Sequence, residues 1–289
     1  MKRVLVAGAT GYLGKYVVKE LKRQGYYIKV LVRDPDKLKQ TGDFLEPAIS
    51  DDVDEIAIGD ITRPDTLKHI CDNIDYVFSS VGLTRKSNGL TFKEVDYQGN
   101  VNLLKEAEHS HVVKFMYIHV YNDDNWNKPG PLIDAKTRFV EVLKASNISH
   151  IIIRPTGYFS DITQFLKMAK KGRVYLIGDG KKRMNPVHGE DLAQFCIQSL
   201  SEENQTLDVG GPEILTYEQI AEMAFGVLRK KEQITYIPAS LLNPVSFSLK
   251  LFSKHNYGIL RLFINVMTHH VIAPMYGKHR INDGFNEII

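Results

Sequence analysis

Residues 4–14 have the sequence VLVAGATGYLG, in which a short apolar run leads directly into three spaced glycines. The run predicts a buried strand, and the amphipathic stretch from Lys15 to Gln24 predicts a helix immediately after the glycines. In this context Gly8 permits a tight turn, and Gly11 lets a ligand approach the backbone. Gly14 lets the helix pack closely against the strand. The stretch therefore predicts the first strand, turn and helix of a nucleotide-binding α/β fold.

The turn between this strand and helix has the features of a phosphate site. The first N–H groups of a helix have no partners within the helix, and the helix dipole places partial positive charge at the same end. Such an end binds the pyrophosphate of a dinucleotide. We therefore predict that a dinucleotide contacts the following residues: Gly8, Thr10, Gly11, Tyr12, Leu13 and Gly14.

Short apolar runs alternate with amphipathic stretches through roughly the first 155 residues. Further strands are predicted at Ile28–Val32, Glu55–Ile58, Tyr76–Ser79, Phe115–Val120 and His150–Ile153. Helices are predicted at Arg63–Asn73, Tyr97–Ser110 and Ala135–Ser146. Because strands separated by helices of this size form parallel sheets with right-handed crossovers, the pattern predicts a doubly wound parallel sheet of the α/β class.

The remainder of the chain predicts a smaller α/β lobe. We expect residues 1–155 to form the dinucleotide-binding core and residues 156–289 to form a substrate or partner lobe, partly interleaved with the core. Thr216 and Gln219 have the spacing of a capping box before an apolar helix. The tail from about Ser240 is rich in Leu, Phe and Ile, and it predicts short helices that cover a pocket or a partner surface. A protein partner at this tail is therefore one expectation.

Composition narrows the range of partners and compartments. A net charge of +3, without a basic cluster, gives no support for a nucleic-acid partner. Cys71 and Cys196 lack metal-ligand spacing and predict reduced thiols in a cytoplasmic protein. His188 is expected to order a loop, and no metal site is predicted. The most apolar long stretch contains arginine, asparagine and two histidines, so no transmembrane segment is expected.

The residue at the end of the second strand bears on the choice of cofactor. Arg33 stands where an NAD-preferring site usually has an acid for the ribose 2′-hydroxyl, and an arginine accommodates a 2′-phosphate instead. Lys37 would add a second cation. Asp34 and Asp36 keep an acidic alternative open, and a solvated surface role for Arg33 is another. The pattern predicts a preference for NADP(H), with NAD(H) possible.

Five motifs in order carry a family resemblance. They are GATGYLG at 8–14, VRDP at 32–35, DYQGN at 96–100, IRPTG at 153–157 and GEDLA at 189–193. Together they resemble the atypical short-chain dehydrogenases of the NmrA-like group, over roughly residues 1–240. That group includes isoflavone-type reductases, non-catalytic redox sensors and photosystem assembly factors. The resemblance implies a Rossmann fold.

The resemblance also implies roles for residues beyond the glycine turn. It places Asp60 and Ile61 at the adenine, and Ser80, Val81 and Gly82 at the adenosine and its ribose. It brings Pro155, Thr156, Gly157 and Tyr158 near the nicotinamide. For the DYQGN motif we favour a structural interpretation, namely a helix N-terminus that packs on the sheet.

The proton donor of a typical short-chain dehydrogenase is absent at its usual place. These enzymes pair a tyrosine with a lysine four residues later, and the lysine lowers the pKa of the phenol. Lys136 occupies the lysine position, but Leu132 stands where the tyrosine is expected. Lys136 itself is then the candidate catalytic acid or base, as in isoflavone-type reductases. Alternatively, it only holds the nicotinamide ribose.

Two functions follow from these alternatives. The first is an NADPH-dependent oxidoreductase that acts on an unidentified small molecule with a conjugated or quinone-like acceptor, which needs little external acid. The second is a non-catalytic NADP(H)-binding redox sensor or assembly scaffold. Leu132 favours the second, and the retention of Lys136 favours the first.

Overall fold

The computed structural model describes residues 1–83, 89–121, 126 and 130–289. These residues separate into two compact units. The first comprises Met1–His119, Asp134–Arg154 and Leu192–Leu207, and the second comprises Val120–Ile133, Pro155–Asp191 and Asp208–Ile289. The domain boundary that we drew at residue 155 stays a prediction.

The first unit is built on a seven-stranded sheet. Its strands are β1 (Arg3–Ala7), β2 (Tyr27–Val32), β3 (Glu55–Ile58), β4 (Tyr76–Ser79), β5 (Lys114–Ile118), β6 (Ser149–Pro155) and β9 (Gln205–Val209). The last residues of β6 and β9 belong to the second unit. The order across the sheet is β3-β2-β1-β4-β5-β6-β9, and every pair from β3 to β6 is parallel. The strand order reverses between β1 and β4, the position at which such sheets bind ligands. The predicted doubly wound sheet is confirmed.

Helices cover the sheet on both faces. Successive side chains of a strand point to opposite faces, and Leu5 and Val6 of β1 are both fully buried, as are Phe115 and Met116 of β5. The flanking helices are α1 (Tyr12–Arg23), α2 (Asn100–His109), α3 (Pro131–Ala145) and α5 (Gly189–Gln198). The first residues of α3 and α5 belong to the second unit and the remainder of each helix to the first. Gly25 follows the end of α1 with a φ of 78°, a conformation in which glycine commonly ends a helix.

Two predicted helices differ from the structure. The stretch from Arg63 to Asn73 forms only a short 3₁₀ helix at Pro64–Leu67, followed by turns. His69 and Asn73 there have φ of 65° and 59°, in the left-handed region that interrupts an α-helix. The helix predicted from Tyr97 begins instead as a wider π-helical segment at Lys93–Gly99, which continues into α2.

The second unit contains two small strand pairs and a set of helices. The strands are β7 (Val174–Ile177) with β11 (Ile234–Ile237), and β8 (Arg183–Met184) with β10 (Leu215–Thr216). The helices are α4 (Phe159–Lys170), α6 (Tyr217–Val227), α7 (Asn243–Phe252), α8 (Lys254–Thr268) and α9 (Ile281–Ile288). The predicted capping box at the start of α6 is confirmed, because Thr216 Oγ1 accepts the Gln219 N–H at 3.1 Å and Gln219 Oε1 accepts the Thr216 N–H at 2.9 Å.

The tail after Ser240 forms helices, as predicted. Asn185 joins it to the rest of the second unit: its buried amide donates to the Ala273 carbonyl at 2.9 Å and accepts the Ala273 N–H at 3.1 Å. Among the described residues, no helix combines the length and the apolar character needed to cross a bilayer.

Candidate functional site

A cavity of about 310 Å³ opens in the first unit. It lies at the carboxyl ends of β1 to β4, on both sides of the point where the strand order reverses. Of the residues that the sequence predicted to bind a cofactor, the following line it: Gly8, Thr10, Gly11, Arg33, Asp60, Ile61, Ser80, Val81 and Gly82. The fold thus brings four separate sequence segments to one cavity.

The glycine turn forms one wall of this cavity. Gly8 has a φ of 93°, and its carbonyl accepts the Gly11 N–H at 3.0 Å. A Cβ on Gly14 would lie 2.1 Å from the Gly8 carbonyl oxygen, so only glycine allows this approach of helix to turn. A Cβ on Gly11 would meet only that same oxygen, at 3.3 Å, and would otherwise enter the cavity. A side chain at residue 11 would therefore fill the space that the pyrophosphate of a dinucleotide needs.

Helix α1 begins next to this wall, and its predicted binding residues Tyr12, Leu13 and Gly14 are not among those that line the cavity. Gly11 is its N-cap and has no side chain to cap the helix, and the first-turn N–H groups of Leu13 and Gly14 have no intrahelical acceptor. The side chain of Leu13 is buried in the core, so this residue offers a ligand only its backbone. Tyr12 packs edge-on against Tyr16, with ring centroids 5.4 Å apart. The helix start can therefore bind an anion through N–H groups and its dipole.

Polar residues at the ends of β2 and β3 form another part of the cavity wall. Arg33 is exposed and lines the cavity. The Asp60 carboxylate accepts the Thr62 N–H at 2.8 Å and the Thr62 hydroxyl at 2.7 Å. Burial acts to raise the pKa of Asp60, but these hydrogen bonds and the nearby Arg33 outweigh it, so the pKa is lowered and the carboxylate stays charged. Lys37 is exposed in the 3₁₀ helix Pro35–Lys39 and is not among the residues that line the cavity.

The two aspartates after Arg33, which were the acidic alternative for binding the ribose, make other contacts. Asp34 caps the 3₁₀ helix that follows, and its carboxylate accepts the Asp36 N–H at 3.1 Å. Asp36 forms an ion pair with Lys39 at 2.8 Å. Arg33 is thus the charged residue at the end of β2 that lines the cavity.

Beside the cavity lies a buried polar cluster of Asp96, Tyr117 and Lys136. Lys136 Nζ is 3.3 Å from the Asp96 carboxylate, 3.3 Å from the Tyr117 hydroxyl and 3.3 Å from the Ile118 carbonyl. A Cβ on Gly82 would lie 2.7 Å from Asp96 Oδ1 and 3.2 Å from Lys136 Nζ. Gly82 also lines the cavity, so this charged pair lies directly next to the cavity wall.

The cluster keeps Lys136 protonated. Burial acts to lower the pKa of Lys136, but Tyr117 and the Asp96 carboxylate outweigh it, so the pKa lies above its ordinary value. Burial raises the pKa of Tyr117 to about 12, and its side chain is wholly enclosed. Leu132, one helical turn before Lys136, is buried and has no proton to give. The phenol that contacts Lys136 therefore comes from β5, and it is shut off from solvent.

The role of Asp96 was missed from the sequence. We interpreted DYQGN as a helix N-terminus that packs on the sheet, whereas Asp96 is fully buried, pairs with Lys136 and accepts the Leu83 N–H at 2.9 Å. Asn100 is also fully buried and accepts the Ser79 hydroxyl at 2.6 Å. A signal existed: Asp96 and Asn100 share a helical face with apolar Leu103 at i, i+4 and i+7, and a buried polar side chain needs a partner.

The four residues predicted near the nicotinamide belong to the second unit. The Pro155 carbonyl accepts the Tyr121 N–H at 2.9 Å. The Thr156 hydroxyl is buried and donates to the Asn185 carbonyl at 2.6 Å. Gly157 links this residue to Tyr158, the N-cap of α4. Their contact with a nicotinamide stays a prediction.

A second titratable cluster lies in the second unit. Donor atoms of His188, Glu190 and His279 all lie within 4.8 Å of one another. His188 Nδ1 accepts the Glu190 N–H at 3.2 Å, and burial together with His279 lowers the pKa of His188 to about 4. Asp191 accepts hydrogen bonds from the Lys278 and His279 backbones, both at 3.0 Å, and pairs with His279 Nδ1 at 2.8 Å. These bonds fasten the loop before α9 to the first turn of α5. The expectation of no metal site stays a prediction.

The chain is similar in sequence to known proteins over most of its length. A family model described as NAD(P)H-binding matches residues 8–203. The chain is 29% identical to the chloroplast divinyl chlorophyllide a 8-vinyl-reductase of Cucumis sativus, over 99% of this chain and 76% of that protein. It is 27% identical to the photosystem II assembly factor Ycf39 of Guillardia theta, over 83% of this chain and 74% of that protein. The resemblance drawn from the motifs is confirmed.

Solved structures share the fold. A nucleoside-diphosphate-sugar epimerase from Staphylococcus aureus has a TM-score of 0.73 at 14% identity, over 99% of this chain and 100% of that one. An NADPH-dependent quinone oxidoreductase from Escherichia coli, complexed with NADPH, has a TM-score of 0.69 at 15% identity, over 99% of both chains. At this identity the likeness concerns the fold alone.

Proposed function

The chain belongs to the NAD(P)H-binding family, and from that premise we propose that it is an NADPH-dependent oxidoreductase for a conjugated or quinone-like acceptor. The observation that carries the proposal is the pairing of Lys136 with Asp96 directly behind Gly82, beside the cavity at the strand ends. The chain thus retains the lysine of the short-chain dehydrogenase pair in a fixed, charged state, while Leu132 replaces its phenol.

The charge distribution along the cavity supports NADPH as the cofactor. Arg33 lines the cavity, and the two aspartates that follow it are engaged in a helix cap and an ion pair. A guanidinium accommodates a 2′-phosphate, and an acid would repel it. Gly8, Gly11 and the start of α1 would hold the pyrophosphate, with Asp60 and Ile61 on the adenine side.

The first prediction tests this preference. Arg33→Ala is expected to weaken NADPH binding about 10- to 100-fold, because a charge-assisted hydrogen bond to phosphate is lost, and to leave NADH binding nearly unchanged. Titration calorimetry with both cofactors measures the effect. Lys37→Ala is the matched control, since Lys37 is exposed and does not line the cavity. Equal affinity of the unaltered protein for both cofactors would contradict the preference.

The bound cofactor would supply a hydride, and the residues of this chain would position it. Lys136 would hold the ribose beside the nicotinamide with its ammonium fixed by Asp96. It would not give up its proton at neutral pH, because its pKa is raised. Tyr117 is enclosed and cannot reach a substrate. An acceptor that spreads the incoming charge over a conjugated system needs no strong external acid, which is why we favour this class over plain ketones.

A relative supports the same class of acceptor. The protein from Cucumis sativus is named as a vinyl reductase, and a vinyl group in conjugation differs from a plain carbonyl in the way just described.

A screen of NADPH oxidation with ketones, aldehydes, enones and quinones tests the proposal. We expect turnover with enones or quinones and little with plain ketones, since a missing general acid costs about 10²–10⁴-fold in rate. Rapid reduction of plain ketones would overturn it.

A non-catalytic function is the second candidate. Leu132 in place of the phenol and the full engagement of Lys136 by Asp96, Tyr117 and Ile118 fit a protein that binds cofactor without turning it over. One relative is named as a photosystem II assembly factor. NADPH binding together with no oxidation across all four acceptor classes would support a redox sensor or assembly scaffold instead of the reductase.

A further inference from the structure

Helix α7 and the turn before it expose an unusual number of large apolar side chains. Phe247 is 67% exposed and Phe252 is 84% exposed. Leu241, Val245 and Leu251 are exposed as well. We call these five side chains the outer face of α7. Exposed apolar side chains concentrated on one short segment indicate an interaction site more often than isolated exposed residues do.

The packing of α7 makes this exposure harder to explain as ordinary surface. A helix on a water-soluble domain buries its apolar face and presents polar residues to solvent. In α7 the side chain buried against the rest of the second unit is Ser246, and Leu249 is half-buried. The two phenylalanines of the helix point outward instead. The sequence of α7 therefore fits an apolar environment on its outer side.

The charge around α7 indicates the partner. The chain has 34 acidic residues, yet residues 233–282 contain no Asp or Glu. Lys250 and Lys254 are exposed at the end of α7 and the start of α8, and Arg261 follows in α8. An apolar face bordered by lysines, within a segment without acids, complements a surface that is apolar inside and negatively charged outside.

We propose that the outer face of α7 binds the surface of a membrane that contains anionic lipids. The ten residues of the helix are too few to span a bilayer, but they suffice for a helix that lies in the interface. Phe247, Leu251 and Phe252 insert among the acyl chains near the headgroups. Lys250 and Lys254 contact the lipid phosphates. This binding is independent of the dinucleotide cavity, whose residues all lie in the first unit.

Vesicle co-sedimentation of the full chain tests the proposal. We expect binding to vesicles of phosphatidylcholine with phosphatidylglycerol, weaker binding to phosphatidylcholine alone, and release at high salt. Lys250→Glu with Lys254→Glu should reduce binding to the anionic vesicles by roughly 30-fold or more, because each basic residue near such a surface contributes about fivefold in affinity. Phe247→Ser with Phe252→Ser should abolish binding to both kinds of vesicle.

The control is an exposed apolar residue outside this face. Ile58→Ser alters a 68% exposed side chain of β3 and should leave vesicle binding unchanged. NADPH affinity of every variant reports on folding, since the altered residues lie outside the cavity. Unchanged vesicle binding by the phenylalanine double variant would overturn the proposal. So would a dimer in light scattering that dissociates on the same double substitution without any vesicle binding, because the face would then be a protein interface.

Discussion

Gly11→Val is expected to abolish binding of NADPH and NADH while the protein remains folded. Any Cβ at this position enters the cavity where the pyrophosphate must approach the backbone, and the branched valine side chain would occupy that space. The fold should survive because the only neighbour of the new Cβ is the Gly8 carbonyl oxygen at 3.3 Å, which a small shift accommodates. Titration calorimetry measures the affinity, and thermal unfolding monitors the fold.

Two further glycine substitutions sharpen this experiment. Gly226→Val in α6 is the matched control, since a Cβ there meets nothing within 4 Å and the residue lies outside the cavity. It should bind NADPH normally. Gly14→Ala should instead damage the fold, because its Cβ would lie 2.1 Å from the Gly8 carbonyl oxygen. Undiminished nucleotide binding by Gly11→Val would show that the dinucleotide site lies elsewhere.

Local signals in the sequence were enough to predict the sheet and the glycine turn. The strands β1, β2 and β4 are short apolar runs buried on both faces, and β3 at the edge of the sheet has the same apolar character although it is partly exposed. The strands β1 to β4 were therefore all found within one residue of their ends. The glycine spacing carries its own geometry, because Gly8 needs a positive φ and Gly14 needs close contact. Arg33 could be assigned to the cavity because the carboxyl ends of neighbouring parallel strands meet at one edge.

What the sequence did not predict depends on contacts between distant residues. Asp96 and Lys136 are forty positions apart, and the sequence around each residue does not indicate that the other is its partner. Glu190 and His279 meet in the second unit in the same way. The prediction of a helix at Arg63–Asn73 was wrong for a different reason. His69 and Asn73 adopt left-handed conformations, which the spacing of apolar residues does not reveal. The exposure of the outer face of α7 was not predicted, because periodicity alone cannot say which side of a helix faces solvent.

Lys136→Met is expected to lower the free energy of unfolding by about 3–5 kcal/mol, because it leaves the fully buried Asp96 carboxylate without its counter-charge. NADPH affinity should fall in the same variant. Any NADPH oxidation rate should fall in proportion to that affinity, since a lysine with a raised pKa holds the cofactor and does not transfer the proton. A rate that collapses while NADPH still binds would identify Lys136 as the acid or base instead.

The double variant Asp96→Asn with Lys136→Met separates the two roles of this pair. Removing both charges should recover most of the lost stability, because the asparagine oxygen still accepts the Leu83 N–H and no unpaired charge stays buried. NADPH binding should stay weak in this stable protein, because the ammonium beside Gly82 is still missing. Lys144→Met, at an exposed lysine on the same helix, is the control and should change neither quantity. If the double variant binds NADPH as tightly as the unaltered protein, Lys136 supports the fold and takes no part in holding the cofactor.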